Sequence, residues 1–192
     1  PRWTFGKSLA ALGDFDGDGV PDLVVGGPGM PLQGALPTTP GNIWVILMDS
    51  AGSPRSEVRI GSAQAGFTGA LDIQDFFGSS VTALGDLDGD GVTDLAVGAQ
   101  RDDAGHQDAG AVWVLFLNAD GTVKAHQKIS AVSGGFGGTL ASFDAFGGAL
   151  ANLGDLDGDG VTDLAVGAPG DDDGGSTLGA LWVLFLNADG TV

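Results

Sequence analysis

One fourteen-residue stretch occurs three times in this chain, and the repeat restricts the possible folds more than any other feature. It reads GDFDGDGVPDLVVG from Gly13 to Gly26, GDLDGDGVTDLAVG from Gly85 to Gly98, and GDLDGDGVTDLAVG from Gly154 to Gly167. The first aspartates of successive copies are 72 and 69 positions apart. Long repeats of this kind are typical of structural units that need neighbours to bury their apolar faces.

The similarity between copies extends over almost the whole chain. A Phe-Gly pair lies nine positions before the first aspartate of each copy, and an apolar run containing tryptophan follows each copy. The pairs begin at Phe5, Phe77 and Phe146, and the tryptophans are Trp44, Trp113 and Trp182. We therefore expect three repeat units, at residues 1–60, 61–129 and 130–192, the third incomplete at its end.

Each unit contains several short segments with strand character. In the second unit they lie near Ser79 to Leu84, Asp94 to Ala99, Ala111 to Leu117 and Val123 to Ile129. They are rich in Val, Trp, Phe and Leu and are bounded by Gly and Asp, which is the usual signature of strands and turns. Four strands per repeat predict an all-β fold built from four-stranded antiparallel β-propeller blades. A β-solenoid is the alternative, but solenoid coils repeat at shorter periods.

Three blades are fewer than the four to eight that usually close a propeller. We therefore expect that this chain alone does not close a ring. Either it is part of a longer chain with further blades, or its open blade faces are covered by other copies.

The repeated loop D-x-D-G-D-G-V-x-D places carboxylates at positions one, three, five and nine. Calcium takes six to eight oxygen ligands, and the glycines allow the backbone to curl around a cation. The pattern predicts three calcium sites, one per repeat, each with the carbonyl of the valine at position seven as a further ligand. The predicted ligands are Asp14, Asp16, Asp18, Val20 and Asp22; Asp86, Asp88, Asp90, Val92 and Asp94; and Asp155, Asp157, Asp159, Val161 and Asp163.

Other interpretations of this loop fit less well. An EF-hand loop needs a glutamate at position twelve between two helices, whereas position twelve here is Val25, Val97 or Val166 inside an apolar, β-rich run. Magnesium demands strict octahedral geometry and retains its waters, which four crowded carboxylates do not favour. A plain hairpin turn with solvated aspartates is the remaining alternative, and three complete copies argue against it.

Composition excludes several functional classes. Seven basic residues stand against 25 acidic ones, for a net charge of -18, so binding to nucleic acid or to anionic membrane surfaces is not expected. The longest apolar runs have seven residues, so no membrane insertion is expected. The absence of cysteine excludes disulfides and thiolate metal sites. No signal peptide begins at Pro1, as expected of a cytosolic protein or of a mature chain or fragment.

No catalytic grouping can be assembled from the sequence. The two histidines, His106 and His126, have no counterparts in the other repeats, and the best-placed carboxylate pairs belong to the predicted calcium loops. We expect a protein without enzymatic activity, in which the three repeated tryptophans pack within strands. The acidic runs at 102–103 and 171–173 are interpreted as solvated loops.

Taken together, the Phe-Gly pairs, the aspartate loops and the triplet Gly167-Ala168-Pro169 resemble the FG-GAP repeats of integrin α-subunit propellers and their bacterial relatives. The equivalent triplets Gly98-Ala99-Gln100 and Gly26-Gly27-Pro28 only approximate the pattern, and the family's ring of seven blades is not present. The resemblance implies a calcium-stabilised propeller, usually extracellular, that acts in adhesion, binding or scaffolding. The close similarity of the copies favours a bacterial-type array.

Two functions follow as hypotheses. The first is a calcium-binding segment of an extracellular structural or adhesion protein, in contact with further blades or with other copies and able to extend head to tail into filaments or tubes. The alternative is a recognition module that binds a carbohydrate or a protein through the loops of one propeller face, as an accessory to an enzyme or receptor.

Overall fold

The computed structural model describes residues 4–29, 39–175 and 178–192 and is all-β, as predicted. The strands form three antiparallel sheets in the orders β1-β2-β3-β4, β5-β6-β7-β8 and β9-β10-β11. We call these sheets blades 1, 2 and 3. Among the described residues, no helix is long and apolar enough to cross a membrane. The strands are β1 (Ser8–Gly13), β2 (Asp22–Gly27), β3 (Asn42–Met48), β4 (Pro54–Gly61), β5 (Phe77–Gly85), β6 (Asp94–Ala99), β7 (Ala111–Leu117), β8 (Val123–Ser130), β9 (Ala149–Gly154), β10 (Asp163–Ala168) and β11 (Ala180–Leu184).

Blade 2 lies between the other two and is covered on both faces. Every residue of its strands β6 and β7 is buried, which explains why these segments are continuous apolar runs rather than alternating ones. Leu95 and Val97 face a core shared with blade 1, whereas Val112 and Val114 face a second core shared with blade 3. The outer strand β8 is more exposed and carries polar residues at most positions.

The Phe-Gly pairs of blades 2 and 3 join each of these blades to the one before it. The backbone N–H of Phe77 donates to the carbonyl of Pro40 at 2.9 Å, and the fully buried ring stacks on Phe67 with centroids 5.3 Å apart. The following Gly78 has a φ of +88°, a conformation that favours glycine. Its carbonyl accepts a hydrogen bond from the Ser8 hydroxyl of blade 1 at 2.9 Å. The third blade repeats this joint at Phe146 and Gly147.

Close backbone approach at the same joint explains another repeated glycine. A Cβ added to Gly98 in blade 2 would lie 2.0 Å from the carbonyl oxygen of Gly147 in blade 3. The equivalent Cβ at Gly26 would lie 2.2 Å from the carbonyl oxygen of Gly78. At Gly167, the counterpart in blade 3, the nearest atom would be 3.3 Å away. The blades are therefore packed closely enough that no side chain fits at the first two positions.

The two end blades each leave an apolar face open. In blade 3, Leu181 is 71% exposed, whereas its counterpart Val112 in blade 2 is fully buried. Val183 and Phe185 are exposed in the same way. Blade 1 exposes Leu9 on its opposite side. The three blades therefore do not close a ring, as the number of repeats predicts.

Candidate metal centres

The three aspartate loops occupy the same place in each blade, between its first and second strands. In the described residues, three groups of carboxylates could hold a metal ion, and within each group the oxygens lie within 4.8 Å of one another. Two oxygens bound to one calcium at about 2.3–2.6 Å can be at most about 5 Å apart, so each group has the required spacing. The groups are Asp14, Asp16 and Asp18; Asp86, Asp88 and Asp90; and Asp155, Asp157 and Asp163.

Backbone hydrogen bonds hold the loop aspartates in place. In the second loop, Asp86 Oδ2 accepts the N–H of Gly91 at 2.9 Å, and Asp90 Oδ1 accepts the N–H of Val92 at 2.9 Å. The first and third loops repeat both bonds at 2.8–3.0 Å, with Val20 and Val161 as the donors to the aspartate at position five. In each loop, therefore, the carboxylate at position one holds the backbone of position six, and the carboxylate at position five holds the backbone of position seven.

The aspartate at position nine has a separate structural role. Asp94 is fully buried and accepts two backbone N–H groups at 3.0 Å, from Leu87 in the loop and from Leu117 at the end of β7. Burial raises the pKa of Asp94 to about 6, although both N–H groups act to lower it. Asp22 and Asp163 make the equivalent bonds, which tie their loops to Met48 at the end of β3 and to Leu186 just after β11.

The predicted ligand sets and the observed groups therefore overlap without coinciding. Asp22 and Asp94 lie outside the groups of three in the first two loops, and in the third loop Asp163 takes part whereas Asp159 does not. All the predicted aspartates nevertheless belong to the same three loops. Their role as calcium ligands stays a prediction.

A basic side chain that the sequence analysis missed lies over each of the first two loops. Lys124 of β8 places its Nζ 2.8 Å from Asp88 Oδ2 and also contacts Asp90. Arg55, its counterpart in β4, contacts Asp16 and reaches Asp18 at 3.0 Å. The sequence did contain a signal for this contact: a basic residue recurs at the same position of two repeats, although the chain has only seven basic residues.

The Lys124 ion pairs perturb the titration of both partners. Desolvation acts to lower the pKa of Lys124, but the hydrogen bonds to Asp88 and Asp90 outweigh it and hold the pKa above its ordinary value. The hydrogen bond from Lys124 to Asp90, together with the one from the Val92 N–H, lowers the pKa of Asp90. Lys124 therefore stays charged next to the second loop at any ordinary pH.

A second set of acidic residues lies at the opposite edge of the blades. The interpretation of 102–103 and 171–173 as solvated loops is wrong for Asp102 and Asp171, which are 2% and 4% exposed. Lys128 of β8 neutralises Asp102, with its Nζ 2.6 Å from Oδ2. Burial raises the pKa of the nearby Asp75 to about 7; the Asp72 N–H opposes this, and the Asp102 charge adds to it. In blade 3, burial likewise raises the pKa of Asp144.

The tryptophans pack as strand residues, as expected. Trp113 is 4% exposed and meets the ring of Phe67 edge to face, with centroids 5.2 Å apart. His126 packs against the same two rings, and burial lowers its pKa. Its imidazole therefore has a packing role in β8, whereas His106 lies on an exposed loop.

Comparison with known proteins decides the family. The model of the FG-GAP repeat matches residues 5–46, 77–115 and 146–184, and each match includes one Phe-Gly joint and one aspartate loop. The chain belongs to the FG-GAP repeat family. These matches cover more than half of the chain, so all three blades are FG-GAP blades.

Several longer proteins contain a region similar to this FG-GAP chain. Phosphatidylinositol-glycan-specific phospholipase D of Bos taurus is 31% identical over 181 residues, which cover 90% of this chain and 19% of the relative. Integrin alpha-V of Gallus gallus is 33% identical over 164 residues, covering 83% of this chain and 13% of the relative. Integrin alpha-PS5 of Drosophila melanogaster is 36% identical over 171 residues, covering 86% of this chain and 15% of the relative. The chain therefore spans less than a fifth of the length of these relatives.

Proposed function

We propose that this chain is a non-enzymatic, calcium-binding segment of an extracellular β-propeller protein with a structural or adhesive role. The observation that carries the proposal is the presence, at the same place in each blade, of three carboxylates whose oxygens lie within 4.8 Å of one another. One calcium ion would bind in each of the repeat units 1–60, 61–129 and 130–192. Three ions would change the formal charge from -18 to about -12.

Calcium would act here as a structural ligand. The loop carboxylates would bind the ion, and the ion would offset the repulsion between charges held within a few ångströms of one another. Because the site forms only in the folded chain, the free energy of binding adds to the free energy of folding. Extracellular calcium modules bind at about 10⁻⁴ to 10⁻³ M, so these loops would be filled outside cells and largely empty inside them.

The similarity to integrin alpha chains supports an adhesive or recognition role. The phospholipase D relative is an enzyme by name, but the similar region is only 19% of its length. In the described residues, the clustered acidic groups are the loop aspartates, the buried set around Asp102 and the buried pair Asp144 and Asp171. We therefore propose no catalytic activity for this segment.

The open faces of the end blades support contact with further blades or with other copies of the chain. Leu181 and Phe185 of blade 3 are 71% and 48% exposed, although their counterparts in blade 2 are buried against a neighbour. Leu9 of blade 1 is 63% exposed on the opposite side. Because the two open faces lie at opposite ends, a head-to-tail contact would bury both and would repeat along a filament or tube.

The calcium proposal is tested with an Asp90→Ala variant and an Asp172→Ala control. Both lose one exposed carboxylate, but Asp172 lies outside the three loops. We expect calorimetry to show loss or weakening of one of three calcium sites in the first variant and of none in the control. In saturating calcium, the melting temperature of Asp90→Ala should fall below that of the parent. In chelator, the two melting temperatures should be close, because the surface ion pair that the variant loses is worth about 1 kcal/mol or less. Equal melting of variant and parent in saturating calcium would refute the assignment.

A recognition module is the second candidate, favoured by a groove at the edge opposite the aspartate loops. The groove has a volume of about 290 Å³ and is lined by Arg101, Asp108 and Phe143, among others. Phe143 is 55% exposed, and both Phe143 and Asp108 have positive φ, a strained conformation that is frequent at binding sites. A cation, a carboxylate and an exposed ring together suit a carbohydrate or a polar peptide.

Light scattering and electron microscopy, in millimolar calcium and then in chelator, separate the two candidates. Large regular particles that dissolve on chelation would support the structural polymer. A compact species in both buffers would favour the recognition module.

A further inference from the structure

The fourth strand of a blade brings a cation to the aspartate loop of the same blade. Lys124 and Arg55 occupy equivalent positions in β8 and β4, and each contacts the aspartates at positions three and five of its loop. In the second loop, the Lys124 Nζ lies 2.8 Å from one oxygen of Asp88 and 3.1 Å from the other. The same contact thus occurs twice, on the equivalent strands PRSEVRIG and VKAHQKIS.

These contacts involve the carboxylates that a divalent cation would use. Asp88 and Asp90 belong to the group whose oxygens lie within 4.8 Å of one another. An ion bound to them would lie within a few ångströms of the Lys124 ammonium. The two positive charges would repel, and oxygen lone pairs occupied by the ammonium would be lost to the ion.

We propose that Lys124 and Arg55 are built-in competitors that weaken cation binding by the second and first loops. The inference rests on the proposed calcium sites and adds what sets their affinities. Removing the ammonium leaves the calcium ligands in place and takes away a repulsion that, for charges of +1 and +2 about 4 Å apart, corresponds to tenfold or more in affinity even at the dielectric constant of water.

The test is a calcium titration of Lys124→Met, in which the aliphatic chain is kept and the charge is removed. Calorimetry is done in a background of Asp18→Ala and Asp157→Ala, each of which removes one carboxylate from the observed group, so that only the second loop retains its full set. Lys7→Met, a change of an exposed lysine in blade 1, controls for the altered net charge, and Lys124→Arg restores the cation.

We expect Lys124→Met to bind calcium about tenfold or more tightly than the background protein, and Lys7→Met and Lys124→Arg to stay within about threefold of it. In chelator, the melting temperature of Lys124→Met should equal that of the background protein or lie slightly below it. In saturating calcium, the melting temperature of Lys124→Met should rise by more than that of the background protein. Arg55→Met, with Asp90→Ala and Asp157→Ala as background, is the independent test at the first loop.

Unchanged or weaker binding by both methionine variants, alongside calcium binding by their backgrounds, would overturn the inference and leave the proposed calcium sites intact. Absence of binding in backgrounds and variants alike would overturn the calcium sites and the inference together. Binding that appears only when Lys124 or Arg55 is replaced would support the inference most strongly.

Discussion

The structure of the Phe-Gly joint predicts that equivalent phenylalanines contribute different amounts to the free energy of unfolding in different blades. Phe77 is fully buried between blades 1 and 2, whereas its counterpart Phe5 is 55% exposed and contacts the ring of Trp44. Truncating a fully buried phenylalanine to alanine costs about 3–5 kcal/mol, because apolar contact is lost and a cavity is left. Phe5 buries less than half of its surface and leaves no enclosed cavity, so its truncation should cost about 1–2 kcal/mol.

Urea unfolding in chelator, followed by tryptophan fluorescence, measures both losses. Chelator removes any contribution of calcium. The tryptophans report on the blade cores, because Trp44 contacts Phe5 and Trp113 shares a core with Phe77. We expect Phe77→Ala to lower the free energy of unfolding by about 2 kcal/mol or more beyond Phe5→Ala. Equal losses for the two variants would mean that Phe77 does not hold blades 1 and 2 together.

Three further predictions concern buried groups outside the aspartate loops. Asp75→Asn should flatten the pH dependence of stability between about pH 4 and 7, as thermal melts at half-unit pH steps would show. The folded-state pKa of Asp75, about 7, lies above the unfolded value, so the parent protein loses stability as pH rises through this range. Gly98→Ala should cost about 1–3 kcal/mol or more through overlap with the next blade, while Gly167→Ala should be tolerated, which urea titration of the pair would show. Lys128→Met should destabilise the chain by about 1–3 kcal/mol, because it leaves the carboxylate of Asp102 buried and unneutralised. Thermal melts of Lys128→Met, alone and combined with Asp102→Asn, would show whether the second substitution restores stability.

Strands and their pairing could be predicted from the repeat because each is marked locally. The predicted bounds of β6 and β7 match the structure. The first strand of blade 2 begins at Phe77 rather than near Ser79, because Phe77 pairs with Ala99 beyond an irregularity in the ladder. Phe77 also forms a parallel bridge with Gly41 of the preceding repeat, a long-range contact that has no local signal in the sequence.

The candidate sites were only partly predictable. The aspartate loops could be located because all their carboxylates lie within nine consecutive residues. Lys124 was missed because it reaches Asp88 and Asp90 from a strand 36 and 34 positions away, which the fold alone brings close. The burial of Asp102 was missed because aspartate is seldom buried without a partner, and its partner Lys128 lies 26 positions along the chain.

The most direct test of the calcium proposal is anomalous X-ray diffraction from crystals grown in millimolar calcium. The account predicts three anomalous peaks, one in each aspartate loop, about 2.3–2.6 Å from carboxylate oxygens. Peaks absent from all three loops, or found only beside the buried pair Asp144 and Asp171, would contradict it.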